Sequence, residues 1–277
     1  MEIAYLIHSR TFKCDFNPNF MVRPANWNTA EIQWARRNIL LATSSIETLS
    51  ERRWLISSSP DGEYKIIGAA DYIANLAQNC NQFITDSAAK FLKDEKNRRI
   101  YAFIGIVIHK SSAFDFEKIT NEFLLEIYIK YLTAVWETNT NSTIEVPFGS
   151  LDFEATATTK NYPVPTHTFH NTALYASDCN AELIRYFSLS EDANFTLCTD
   201  ITSAKRIEQL YDQDTNYIIS TSSNILSRLK EPPVSEISEP LEPTITTVAP
   251  PARIETELLE MQKKNHYRFP KIYCGQY

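Results

Sequence analysis

Residues 100–138 constrain this chain more than any other stretch. Ile100 to Ile108 reads Ile-Tyr-Ala-Phe-Ile-Gly-Ile-Val-Ile, nine residues without a charge and rich in β-branched and aromatic side chains. Arg98-Arg99 precede the run and His109-Lys110-Ser111-Ser112 follow it. Such a segment predicts a strand buried on both faces. Gly105 weakens a strand intrinsically, so its presence predicts another backbone or a bulky side chain close by. In Asp115 to Thr138, the residues Ile119, Phe123, Ile127, Tyr131 and Val135 recur every fourth position. That periodicity predicts one face of a long amphipathic helix. Strand and helix together predict the centre of a core.

The flanking sequence supplies neighbours for that core. Residues 2–9 alternate and β-branch as a first strand does. Residues 11–27 hold Pro18, Pro24 and several Asn, and predict a loop carrying Phe12, Phe16, Phe20 and Trp27. Such an aromatic loop either packs on its own domain or forms a contact surface. Asn28 followed by Glu31 is a helix start, with Asn capping and Glu reaching back, and the helical face runs to about residue 50. Arg53–Ser57 and Tyr64–Ala70 flank Ser-Pro-Asp-Gly, the chemistry of a turn, and predict a hairpin. Thr85 or Asp86 is the expected cap of a short helix ending at Leu92. The first 140 residues therefore predict a mostly antiparallel sheet with helices packed on it.

From 144 the pattern changes. Residues 144–170 are Thr-rich and interrupted by proline, with short strands expected at 151–158 and 167–175. Residues 173–229 repeat a different unit about every 22 residues. Apolar strands beginning at Ala173, Phe195 and Tyr217 each end in Ser or Thr, twice followed by Asp, and each leads to a helix-period segment (180–188, 202–212 and 223–229). Successive units of this type pack in parallel with right-handed crossovers. The fold class is thus α+β, mixed: an antiparallel portion over 1–143 and a βαβαβα portion over 144–230, able to share one sheet.

Residues 231–252 hold six of the thirteen prolines, four glutamates and no basic residue, which predicts a stiff, extended linker. Arg253 to Lys264 has helix formers throughout, acidic early and basic late, in accord with the helix dipole. Together with the aromatic end, this segment resembles a docking peptide, with Leu258, Leu259, Tyr267, Phe269, Ile272, Tyr273 and Tyr277 as anchors. The alternative is a tail that folds back onto its own domain.

Composition narrows the chemistry. The five glycines at 62, 68, 105, 149 and 275 are too far apart for a phosphate loop, a dinucleotide fingerprint or a nucleophile elbow. Five scattered cysteines at 14, 80, 179, 198 and 274 form no disulfide or zinc pattern, and an intracellular, cytoplasmic protein is expected. Neither a signal peptide nor a membrane-spanning run is expected. The net charge of −7 divides into +3 over residues 1–110 and −10 over the rest. The pairs Arg36-Arg37, Arg52-Arg53 and Arg98-Arg99 fall in the basic part, a weaker bias than nucleic-acid binders show.

Pro60-Asp61-Gly62-Glu63-Tyr64-Lys65 contains the letters of a nuclease signature compressed into a turn. His167 and His170 fall on opposite faces of a strand, which disfavours a shared metal. Cys179 would open a helix, where a thiol pKa is lowered. No catalytic residue, metal or cofactor is assigned.

The richest constellation is Ser177, Asp178, Thr199, Asp200, Thr221 and Ser222. Were the three strands parallel, these residues would gather at their carboxyl ends, where open α/β sheets bind ligands. The alternative is plain helix capping. The leading function the sequence supports is a non-catalytic intracellular adaptor subunit of a larger assembly, using its tail on a protein partner or a second copy. The alternative is a small-ligand or nucleotide-responsive module using this constellation. A second alternative is a nucleic-acid accessory protein using its arginine pairs.

Overall fold

The computed structural model describes residues 1–43, 52–78, 80–110, 112, 114, 116–151 and 163–230. Backbone contacts divide the chain into Met1–Pro232 and Pro233–Tyr277, and the fold below is that of the first unit. The linker and tail expected at 231–277 lie outside the described residues, as does all but Leu151 of the strand expected at 151–158.

The strands are β1 (Glu2–His8), β2 (Val22–Pro24), β3 (Arg53–Ser58), β4 (Tyr64–Tyr72), β5 (Tyr101–His109), β6 (Ile144–Val146), β7 (Gly149–Ser150), β8 (His167–Phe169), β9 (Thr172–Ala176), β10 (Phe195–Cys198) and β11 (Asn216–Thr221). The helices are α1 (Thr29–Thr43), α2 (Ile73–Ala77), α3 (Gln82–Ala88), α4 (Asn121–Leu132), α5 (Asn180–Leu189), α6 (Ala204–Glu208) and α7 (Ser223–Leu226). All eleven strands form one mixed sheet in the order β6-β2-β1-β5-β4-β3-β10-β11-β9-β8, with β7 beside the start of β1.

The apolar run 100–108 is β5, buried along almost its whole length and paired antiparallel to β1 and β4. Gly105 stands opposite Gly68. A Cβ on Gly68 would come within 2.6 Å of both the Ile104 carbonyl and the Phe103 ring, so two backbones and an aromatic ring occupy the space a side chain would need. The predicted hairpin is β3–β4. Gly62 sits at φ +72°, and the Asp61 carboxylate accepts from Glu63 N–H at 3.0 Å and from the Ser59 hydroxyl. This string is a turn.

Both faces of the sheet carry a core. On one, α2, α3, α4 and α5 cover Ile3, Ile7, Ile56, Ile67, Ile104 and Ile106. On the other, α1, α6 and α7 cover Leu6, Leu55, Ile66, Phe103, Val107 and Ile219. The aromatic loop packs on its own domain, with Phe20 fully buried and Trp27 nearly so.

Helix boundaries differ from expectation in instructive ways. At α1, the Asn28 carboxamide accepts from Ala30 and Glu31 N–H while Glu31 reaches back to Asn28 N–H, the reciprocal cap expected. At α3 the cap is Asn81, whose side chain accepts from Ile84 N–H at 3.0 Å. Thr85 instead donates to the Asn81 and Ala77 carbonyls, and the helix starts four residues earlier than a Thr85 cap allows. α4 spans half the predicted length, because Thr120 caps it by accepting from Phe123 N–H. Its buried residues are Leu124, Leu125, Ile127, Tyr128 and Leu132; of the predicted face, Ile119, Ile127 and Val135 are buried and Phe123 and Tyr131 only partly covered.

The expected strand at 167–175 is two strands, β8 and β9, folded into a hairpin. His170 at φ +47° makes the turn. β9, β10 and β11 are parallel as predicted, with β11 in the middle. The seam between the two portions is β3 against β10, antiparallel, with Ser57 opposite Thr196. The Ser57 hydroxyl shares a hydrogen bond with that of Thr196 at 2.9 Å and accepts from Trp34 Nε1 and Asn38 Nδ2. The chain is therefore α+β, its antiparallel and parallel portions sharing a single sheet.

Candidate functional site

The connections leaving the parallel strands diverge. β9 leads through a short 3-10 turn, Ser177–Cys179, into α5, which packs with α4 on one face of the sheet. β11 leads through Ser222 into α7, which packs with α1 and α6 on the opposite face. Adjacent strands whose connections depart to opposite faces leave a crevice at their carboxyl ends, the general position of ligands in open α/β sheets. Thr221 is level with Ala176 in the β9–β11 register, so Ser177, Asp178 and Ser222 stand together at this edge.

Asp200 reaches the same edge from the end of β10. Its backbone is left-handed at φ +54°, which turns the chain sharply out of the strand. Three hydrogen bonds hold it. Its N–H donates to Ser220 Oγ at 3.0 Å, its carbonyl accepts from the fully buried Arg53 at 3.1 Å, and its carboxylate accepts from Asn180 Nδ2 at 2.7 Å. The last bond links the loop after β10 to the first residue of α5 across the end of β11. Asn180 Oδ1 is buried with no hydrogen-bond partner.

The six predicted residues do two kinds of work. Thr199 and Thr221 are fully buried and stitch backbone: Thr199 Oγ1 accepts from Trp54 N–H at 2.8 Å, and Thr221 Oγ1 donates to the Ile201 carbonyl. Ser177 is half-buried, Asp178 and Ser222 are exposed, and Asp200 is half-buried. The groups left with surface at the edge are thus the exposed Asp178 carboxylate and Ser222 hydroxyl, with the half-buried Ser177 and Asp200 beside them. Sequence reasoning missed Asn180, Arg53 and Ser220. An arginine opening an apolar strand was the available signal for Arg53, since a buried guanidinium must find carbonyls, here also Ala42 O and the Thr202 hydroxyl.

Cys179 departs from expectation. Burial, then the neighbouring Asp178 carboxylate, raises its thiol pKa, outweighing any effect of the helix terminus. Cys198 is fully buried and its pKa is pushed up to about 12. Among the described residues, no group of three or more His, Cys, Asp or Glu is arranged to hold a metal ion. His167 is exposed on β8, and His170 lines a separate cleft of about 570 Å³ beside Tyr186, Phe187 and Asp192.

The arginine pairs disperse. Arg53 is in the core, Arg52 pairs with Asp71 at 3.2 Å, Arg98 pairs with Asp94 at 2.6 Å, and Arg99 lies over Tyr72. Arg36 and Arg37 are exposed on α1. Among the described residues, no helix is long and apolar enough to cross a membrane. The partner anchors Leu258, Leu259, Tyr267, Phe269, Ile272, Tyr273 and Tyr277 lie outside the described residues. Comparison with protein-family models, curated proteins and solved structures finds no match.

Proposed function

We propose that the chain is a small-ligand-binding α/β module whose site is the carboxyl edge of β9 and β11. The observation that carries this reading is the divergence of α5 and α7 to opposite faces of the sheet, with Asp178, Asp200, Ser177 and Ser222 at the strand ends between them. Two carboxylates accept hydrogen bonds from a vicinal diol, as acidic side chains at such edges do for ribose hydroxyls. The loops 177–180 and 199–203 contain no glycine, so their backbone does not allow the close approach that a pyrophosphate requires. Two negative charges also oppose a phosphate there. The favoured ligand is a neutral polyol, a nucleoside or a sugar, rather than a dinucleotide.

Thermal denaturation with matched panels of nucleosides, sugars and nucleotides tests this. A ligand present at 100 times its Kd stabilises by about 2.7 kcal/mol, which for a domain of this size raises Tm by roughly 5–10 °C. Asp178→Asn with Asp200→Asn should abolish the shift. If no member of either neutral panel raises Tm, the reading is wrong.

A second reading, an interaction subunit docking through residues 253–277, is favoured by the division of the chain at Pro232–Pro233, inside the proline-rich stretch. It predicts that a 253–277 peptide retains a specific partner, or that the full chain self-associates and a chain ending at 232 does not. A monomeric full chain whose peptide retains nothing would rule it out.

A further inference from the structure

The cleft of about 570 Å³ lies at the amino ends of β9, β10 and β11, opposite the ends that carry Asp178 and Asp200. That volume is within the ordinary range of small-molecule sites, roughly 300–1,000 Å³. Pairing sets Thr168, Ala173 and Ile218 side by side across β8, β9 and β11, and puts Asn216 level with Phe195 on β10. Side chains two apart on a strand share a face, so Asn216 joins Ile218 on the face that α5 covers. α5 ends at Leu189, and Tyr186 of its last turn lines the cleft together with Asp192 beyond it and His170 from the β8–β9 turn. The apolar lining includes Phe187, Phe195 and Ile218, almost fully buried, and Ala173 and Tyr186, which keep part of their surface. The polar lining is open: Thr168, His170, Asn171, Asp192 and Asn216 are all exposed. Asn171 Nδ2 donates to the Gln213 carbonyl at 3.1 Å, which leaves its Oδ1 to accept.

We infer that this cleft binds a neutral disaccharide unit, its hydroxyls held by Asn216, Asn171 and Thr168 and one sugar ring lying against Tyr186. Each sugar hydroxyl both donates and accepts, and the carboxamides and the threonine hydroxyl supply both functions at the surface. The C–H face of a sugar ring packs on an aromatic body whose own hydroxyl stays wet. Among the described residues that line the cleft there is no lysine or arginine, so an anionic ligand finds no counter-charge. The Asp192 carboxylate is exposed and already accepts from the Ser190 hydroxyl at 2.8 Å, so it offers an organic cation little. A wholly apolar ligand would strip water from the polar lining without replacing its hydrogen bonds. The cleft shares no residue with the carboxyl edge, and the two sites stand or fall separately.

The test is a titration of the full-length chain at fixed pH with maltose, cellobiose and N,N′-diacetylchitobiose, with choline chloride and sodium phosphate as charged controls. Imidazole resonances report on His170, assigned by their loss in His170→Asn, since asparagine also accepts the left-handed backbone of this turn. The expected result is saturable movement of these signals with at least one disaccharide, none with either control, and affinity at least threefold weaker in Asn216→Ala. No movement with any disaccharide up to about 50 mM, equal movement with a control, or affinity less than threefold weaker in Asn216→Ala would each overturn the inference. Asp178→Asn with Asp200→Asn should leave the movement unchanged. Its loss in that variant would place the sugar at the carboxyl edge and overturn the inference as well.

Discussion

His8 and Lys65 are two basic groups taken out of water, and their protonation is written into the stability of the fold. Lys65 is 99% buried and donates to the Ser188 carbonyl at 3.1 Å and to the Ser190 carbonyl, the unpaired acceptors at the end of α5. Burial, with help from Lys110, lowers its pKa to about 8, while burial lowers that of His8 to about 4. In both cases the unfolded chain binds a proton before the native one does as pH falls, so stability increases with pH across the window between native and unfolded pKa values. For His8 that window runs from about 4 to 6.5, and the full loss on acidification is about 3 kcal/mol. Urea denaturation from pH 7 to 4 should therefore show a slope that His8→Gln reduces. Lys65→Met leaves two carbonyls without their donor and should cost about 1–3 kcal/mol at pH 7. Gly68→Ala places a methyl group 2.6 Å from the Ile104 carbonyl and the Phe103 ring, and should destabilise by about 1–3 kcal/mol. A variant as stable as the native chain would show that these strands part easily.

At the scale of elements, what could be read from sequence was whatever depends on near neighbours. The α1 cap, the turn at Pro60–Gly62 and the doubly buried β5 are each set by a few adjacent residues. Replacing Asn28 by alanine should accordingly cost about 1 kcal/mol, measured by denaturant titration. Choices between rival caps were not legible. Asn81, Thr85 and Asp86 can all start a helix, and Asn81 prevails with a further tie, its N–H and side-chain amide both donating to Glu122 at the start of α4. The extent of α4 was hidden for a similar reason, since its apolar stripe continues beyond Leu132 into Val135 and Trp136, which are buried without being helical in the α sense. At the candidate site, the spacing of Ser177, Asp178, Thr199, Asp200, Thr221 and Ser222 marked the strand ends. It did not distinguish the two threonines consumed by backbone hydrogen bonds from the groups left facing outward, because that depends on partners such as Trp54 and Ile201 on other segments.

The whole molecule is governed by the seam between β3 and β10, which no local pattern announces. It turns two differently built portions of chain into one sheet and buries Ser57, Thr196, Trp34 and Asn38 in a shared hydrogen-bond cluster. The same seam positions Arg53 to hold the Asp200 carbonyl, so the antiparallel portion shapes the edge where the parallel strands end. The described portions on either side of the seam should unfold together, with the same denaturation midpoint reported by probes in each. The most direct measurement of the central claim is amide hydrogen exchange with and without a saturating nucleoside or sugar chosen from the thermal panel. Slowed exchange confined to residues 177–182, 199–203 and 221–224 is the predicted outcome. Unchanged exchange at those three segments, or protection located elsewhere, would contradict a ligand site at the carboxyl edge.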